Sequence, residues 1–143
     1  MITKTLINDI AEEIAEVIET SDVFQHVAAE PVSTFSGFPA VVVMVSENTN
    51  SYNSTGSNDA RRISLSFSLN VYYAANKESE QAKAETALRE AVSELLRLFL
   101  KKKPLTLCDL ATVTNTPFGD TVVGEGTYRT AQVILTCTVF VDV

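Results

Sequence analysis

Few residues in this sequence are equipped for chemistry. The single histidine, His26, stands among apolar and small residues shortly after an N-terminal helical pattern, with no serine or cysteine motif beside it. It therefore lacks the neighbouring base and nucleophile that covalent catalysis requires, and reads as a surface or loop histidine. Cys108 and Cys137 are widely separated and belong to no CxxC or Cys/His spacing that would hold a metal or form a redox motif, so they read as buried free thiols. Gly124-Glu125-Gly126-Thr127 has the outline of a phosphate loop, but a strand pattern follows it, whereas a phosphate cradle is backed by a helix N-terminus. A nucleophile elbow, a Walker loop, a GxGxxG fingerprint and an HExxH pair are absent. Glu47 and Asp59 flank a polar stretch and could meet a cation, yet their spacing is not that of a calcium loop. Asn53-Ser54-Thr55 matches a glycosylation sequon, which carries meaning only in a secreted chain. The expectation is a protein that is not an enzyme, with no catalytic residues, cofactor or metal.

The elements that would position any site are easier to read. From Thr5 to about Thr20, Leu6, Ile7, Ile10, Ala11, Ile14, Val17 and Ile18 recur at helical steps, while Asp9, Glu12, Glu13, Glu16 and Glu19 crowd the opposite side. Val23–Ser36 has no clean period and reads as a loop or weak strand. After the breaker Gly37-Phe38-Pro39, the run Ala40–Val45 predicts a short buried strand, with Pro39 where a missing N–H costs least. Ser46–Ala60 is polar and asparagine-rich and reads as a long flexible connection. In Arg62–Ala74, Ile63, Leu65, Phe67, Leu69, Val71 and Tyr73 alternate with polar residues, which predicts a long strand with one buried face.

A second helix is predicted from an N-cap at Asn76, with Glu78 and Glu80 in its first turn, to about Lys101. Its buried stripe is Ala84, Leu88, Ala91, Val92, Leu95, Leu96 and Phe99, and Glu85–Arg89 and Glu94–Arg97 pair on its wet side. Pro104 stops it. Leu107–Val113 reads as a short strand and Thr114–Gly126, with Pro117, Gly119, Gly124 and Gly126, as a long loop. The last strand alternates Ala131, Val133, Leu135, Cys137, Val139, Val141 and Val143 against polar residues, and Ile134 and Phe140 interrupt its wet side.

One α+β domain over residues 1–143 follows: two helices packed on one face of a mostly antiparallel sheet, with a long projecting β-hairpin. The chain has 143 residues, 45% of them hydrophobic, enough for one core. A formal net charge of −7 repels phosphate backbones and argues against sequence-specific nucleic-acid binding. No apolar run is long enough to span a bilayer and no secretion signal opens the chain, so it is expected to be cytoplasmic when made, without a membrane partner. The candidate contact residues are Asn48, Asn50, Tyr52 and Asn53 in the polar stretch, Arg61 and Arg62 at its base, and Ile134 and Phe140. Either one arginine of the pair meets the Glu12/Glu16/Glu19 stripe across a subunit boundary, or both are solvated.

The ordered series of a short N-terminal helix, Gly37-Phe38-Pro39-Ala40 with its valine run, Ser46-Glu47-Asn48, a polar hairpin tip, the strand Arg62–Tyr73, a helix with an acidic start and the Pro117/Gly119 segment before a final strand resembles the tail terminator, or tail completion, proteins of long-tailed phages. That resemblance covers nearly the whole chain. It implies a homohexameric ring in the virion neck that ends tail-tube polymerisation and offers a surface for head joining. The implied partners are the tail tube protein, a head-closure or connector protein, and DNA that passes through the lumen. The contact residues above would then lie at subunit or tube interfaces. Alternatives are a head-closure or connector protein of the same neck, or an unrelated oligomeric ligand-binding α+β module.

Overall fold

The computed structural model describes residues 4–32, 34–46, 51–54, 60–75, 80–101, 103–115, 118–123 and 126–142. Period-two alternation makes β4 (Ala60–Ala74) and β7 (Gly126–Asp142) strands, and they pair antiparallel in one register from Ala60 opposite Asp142 to Ala74 opposite Tyr128. Every other strand except β1 attaches to one of these two. On the outer side of β4 lie β2 (Ala40–Val45) and β3 (Ser51–Ser54), one after the other. On the outer side of β7 lie β5 (Leu110–Asn115) and then β6 (Phe118–Val123). The three-residue β1 (His26–Ala28) adds to β2 as the parallel member of an otherwise antiparallel sheet.

Alternation also sorts the faces. Ile63, Leu65, Phe67, Leu69 and Val71 of β4 and Ala131, Val133, Leu135, Cys137 and Val139 of β7 are buried in one core with both helices. From α1 (Leu6–Glu19) the core takes Ile10, Ala11, Ile14, Ala15 and Ile18, and from α2 (Gln81–Phe99) it takes Ala84, Leu88, Ala91, Val92, Leu95, Leu98 and Phe99. The fold is therefore α+β, with both helices on one face of a mostly antiparallel sheet. Each large aliphatic side chain buried this way stabilises by roughly 1.5–3 kcal/mol, more than the few tenths lost per like-charge pair on α1.

Several expectations need correction. The segment 114–126 is not a long loop: β5 runs to Asn115, and β6 then pairs with β7 from Phe118 opposite Ala131 to Val123 opposite Gly126. An edge strand tolerates the glycines that argued against it, because only one of its sides enters the ladder. His26 lies on β1 and not on a loop. Glu80 is the N-cap residue of α2 and stands before its first turn, without a side-chain capping bond. Leu98 replaces Leu96 in the fully buried stripe, since the steps 88, 91, 95 and 98 keep one row of α2 against the sheet while Leu96 is only partly buried. Asn76, Glu78, Asn48, Asn50 and the turn at 55–59, where the expected arm would have its tip, lie outside the described residues.

The two faces of the sheet should respond differently to truncation. Leu135→Ala, in the core, is expected to cost about 2–5 kcal/mol, and Phe140→Ala, on the opposite face, less than about 1 kcal/mol. Urea unfolding of both variants measures this, and equal losses would contradict the assignment of faces.

Candidate functional site

The sheet face opposite the helices is built from short polar side chains. Three cross-strand pairs on β4 and β7 are Ser66 opposite Thr136, Asn70 opposite Gln132 and Ser68 opposite Ile134. The Ser66 and Thr136 hydroxyls are 3.0 Å apart, Gln132 Nε2 donates to Asn70 Oδ1 at 2.9 Å, and Asn70 Nδ2 donates to the Ser68 hydroxyl at 3.3 Å. Serines 66 and 68 are buried although both helices pack on the other face. These hydrogen bonds let recessed hydroxyls lie below longer neighbours without leaving polar atoms unpaired.

Apolar side chains stand out of this polar field. Met44 pairs with Ser68, and Ser68 with Ile134, so the three form one row across β2, β4 and β7. At the far end of the same face Phe140 is 52% exposed and Leu110 50% exposed. Leu110 pairs with Thr138, which makes it the diagonal neighbour of Phe140. Directly opposite Phe140 on β4 is Arg62, also exposed. Asp109 finishes this corner: its backbone N–H donates to Thr138 O at 2.9 Å, and its carboxylate accepts the Phe140 N–H at 2.7 Å where β5 no longer reaches.

The structure thus brings Arg62, Phe140 and Ile134 onto one face, two of them as direct cross-strand neighbours. Arg61 and the strand residues Tyr52 and Asn53 are described by backbone register alone, Arg61 opposite Val141, Tyr52 opposite Ile63 and Asn53 opposite Arg62. Sequence reasoning did not single out Leu110 or Met44. Their signal was faint, because Leu110 opens a short strand and Met44 ends an apolar run.

The other end of the sheet is closed. Here Phe35 stacks on Tyr72 at 4.9 Å between centroids, meets Tyr128 edge-on at 5.3 Å and Phe38 at 5.8 Å, while Phe38 reaches Tyr73. His26 is part of this cluster. Its Nδ1 accepts the Ser36 N–H at 3.2 Å and lies 2.9 Å from the Ser36 hydroxyl, and its ring stands edge-on to Phe35. Gly37 packs against Gln25 so tightly that an added Cβ would come within 2.6 Å of the Gln25 Cβ. The histidine therefore helps to hold the loop before β2, and burial raises the Tyr72 hydroxyl above its ordinary value.

Three glutamates act as structural pins. Glu85 accepts from Arg129 at 2.7 Å and pairs with Arg89 at 3.2 Å; chiefly the Arg129 hydrogen bond holds its carboxyl below the usual carboxylate range. Glu94 pairs with Arg97 and accepts the Ser21 hydroxyl at 2.7 Å, which ties the end of α1 to α2. Glu13, expected on a solvated stripe, instead accepts the Thr106 hydroxyl and, at 3.0 Å, the Leu107 N–H. The Cys108 thiol beside Cys137, and then burial, push the Cys137 thiol up, so it stays protonated and is not an activated nucleophile. Among the described residues no three His, Cys, Asp or Glu side chains gather as a metal site, and no helix is long and apolar enough to cross a membrane.

The chain matches no family model and no curated protein. What the geometry itself presents is a hydrogen-bonded polar sheet face with a cation and two exposed apolar side chains at one end.

Two predictions arise from the pins. A carboxylate whose folded pKa lies below its unfolded value stabilises the fold above that unfolded value and loses this contribution as pH falls through the folded one. As the pH drops below the ordinary carboxylate value of 4.5, wild type should therefore lose stability more steeply than Glu85→Gln. Urea midpoints at stepped acidic pH compare them, and parallel curves would show that the Arg129 contact contributes nothing. Gly37→Ala, which must displace Gln25, should cost about 1–3 kcal/mol in the same unfolding assay, and an unchanged midpoint would contradict the close approach.

Proposed function

We propose that this protein is a structural ring component of a phage neck, a tail terminator that sits on the last ring of the tail tube, stops its growth and presents a surface for head joining. It acts by assembling, without turnover. The observation that carries this reading is the sheet face opposite the helices: among the described residues no helix lies on it, yet it keeps Met44, Ile134, Leu110 and Phe140 among hydrogen-bonded polar side chains. Exposed apolar side chains set among satisfied polar groups suit protein contact better than a small-molecule pocket, which needs concavity.

Two further features support it. The order of elements is that of the resemblance described above, and the net charge of −7 suits a channel through which DNA passes without adhering. In this reading the virion neck is the site of action, and the tube protein and a head-closure or connector protein are the neighbours.

Purified protein added to polymerising tail tubes should cap them and give uniform lengths, with a mass in solution or on the tube end corresponding to a ring. The double variant Ile134→Lys/Phe140→Glu should fold but leave tubes uncapped. Tubes that grow past bound wild-type protein would overturn the reading, and so would a double variant that caps as well as wild type.

A further inference from the structure

We propose that the open sheet face, at its Arg62–Phe140 end, seats against the α1–β1 edge of a second copy of the chain, with Arg62 entering a groove between that copy's α1 and β1. The proposal rests on the ring reading above and names the contact that would build the ring.

The groove is lined by Glu12, Ala15, Glu16 and Glu19 of α1 and by Val27 and Ala29 at β1, and encloses about 280 Å³. That is room for one long side chain, below the roughly 300–1,000 Å³ of sites that enclose a small ligand. Its rim is acidic and its floor apolar. Glu12 and Glu16 are four residues apart and Glu16 and Glu19 three, so like charges stand as helical neighbours and repel. None of the three has an ion pair among the described residues, whereas Glu13, one position away, is occupied by Thr106 and Leu107. A cation from outside the chain would relieve that repulsion.

The open face offers the complement. Arg62 is the one cation that β4 and β7 place on it among the described residues, with Asp142 diagonal to it by register, and no ion pair of Arg62 is formed there. A guanidinium can bond two carboxylate oxygens at once, and its stem can lie along apolar surface. Phe140 directly opposite and Leu110 diagonal to it would cover Val27 and Ala29. Size fits as well. The fifteen residues of β4 extend about 50 Å at roughly 3.3 Å each, and four strand columns span about 15 Å, so the face as a whole, about 750 Å², is of the order of the roughly 800 Å² per partner of a stable interface. The two patches differ, so the contact is head-to-tail, and repetition of such a contact closes a ring when the rotation allows.

Charge exchange tests it. Arg62→Glu and Glu16→Arg, both at exposed positions, should each weaken self-association at least tenfold, measured by sedimentation at low salt, with unfolding midpoints close to wild type. Arg62→Glu/Glu16→Arg in one chain should restore most of the assembly, and Phe140→Ser should weaken it without changing its salt dependence. Added salt should dissociate wild type more readily than the Phe140 contact alone would require. If wild type forms its ring and the single charge variants form it equally well, the contact is wrong and the ring reading survives. If Arg62→Glu spares self-association but weakens capping of tubes, the occupant is the tube subunit, and the second-copy proposal is overturned. If wild type stays monomeric alone and on tube ends, both readings fall together.

Discussion

The pairing of β4 with β7 is the constraint on which the rest of the structure depends. Fifteen consecutive residue pairs hold one register, and the side-chain period of two means that a slip of one residue would exchange the faces of an entire strand. In that register Phe67 meets Leu135, Leu69 meets Val133 and Leu65 meets Cys137, so the central core is a set of cross-strand apolar pairs before any helix arrives. The same register fixes the opposite face, where Ser66 meets Thr136 and Asn70 meets Gln132. Neither face could be changed without changing the other.

The helices are then held by specific contacts as well as by their apolar stripes. Arg129 of β7 reaches Glu85 of α2, Ser21 beyond α1 reaches Glu94 of α2, and Glu13 of α1 grips the segment that leads into β5. Each contact is half-buried or exposed and contributes little alone. Their positions matter more, because they fix where each helix stands along the sheet, which apolar packing alone defines less sharply. The acidic side of α1 is divided by the same logic: Glu13 is consumed internally, while Glu12, Glu16 and Glu19 remain beside the edge strand.

How much of this could be read from sequence depended on range. The long strands and both helices were legible because their periods repeat over many residues, and a one-sided core imposes those periods. β1 was not, since three residues cannot show a period. β6 was not, because the glycines at 119, 124 and 126 weigh the same in a loop as in an edge strand, and only the pairing with β7 decides between them. Among the candidate contact residues, Ile134 and Phe140 were visible as interruptions of an alternating pattern. That Arg62 faces Phe140 was not, since it follows from register, which is a relation between strands seventy-eight residues apart in sequence. Glu13 looked like an ordinary solvated acid, and Glu85 showed its helical partner Arg89 but not Arg129, for the same reason: Leu107 and Arg129 are near them in space alone.

The two ends of the sheet differ in what they leave exposed. At the end where β4 finishes and β7 begins, Phe35 and Phe38 fold back onto Tyr72, Tyr73 and Tyr128, so aromatic surface is used up within the chain. At the end where β4 begins, Phe140 and Leu110 remain outside with Arg62 beside them, and the Asp109 carboxylate closes the ladder there before another strand can take the Phe140 N–H. Further strand addition at that corner is blocked, while side-chain contact is left open. A surface that reproduced itself at both ends would propagate a polymer indefinitely, whereas one that is spent at one end and sticky at the other gives a contact with direction. In this chain that difference comes from packing aromatic residues together at one end of a single pair of strands and leaving Phe140 and Leu110 exposed at the other.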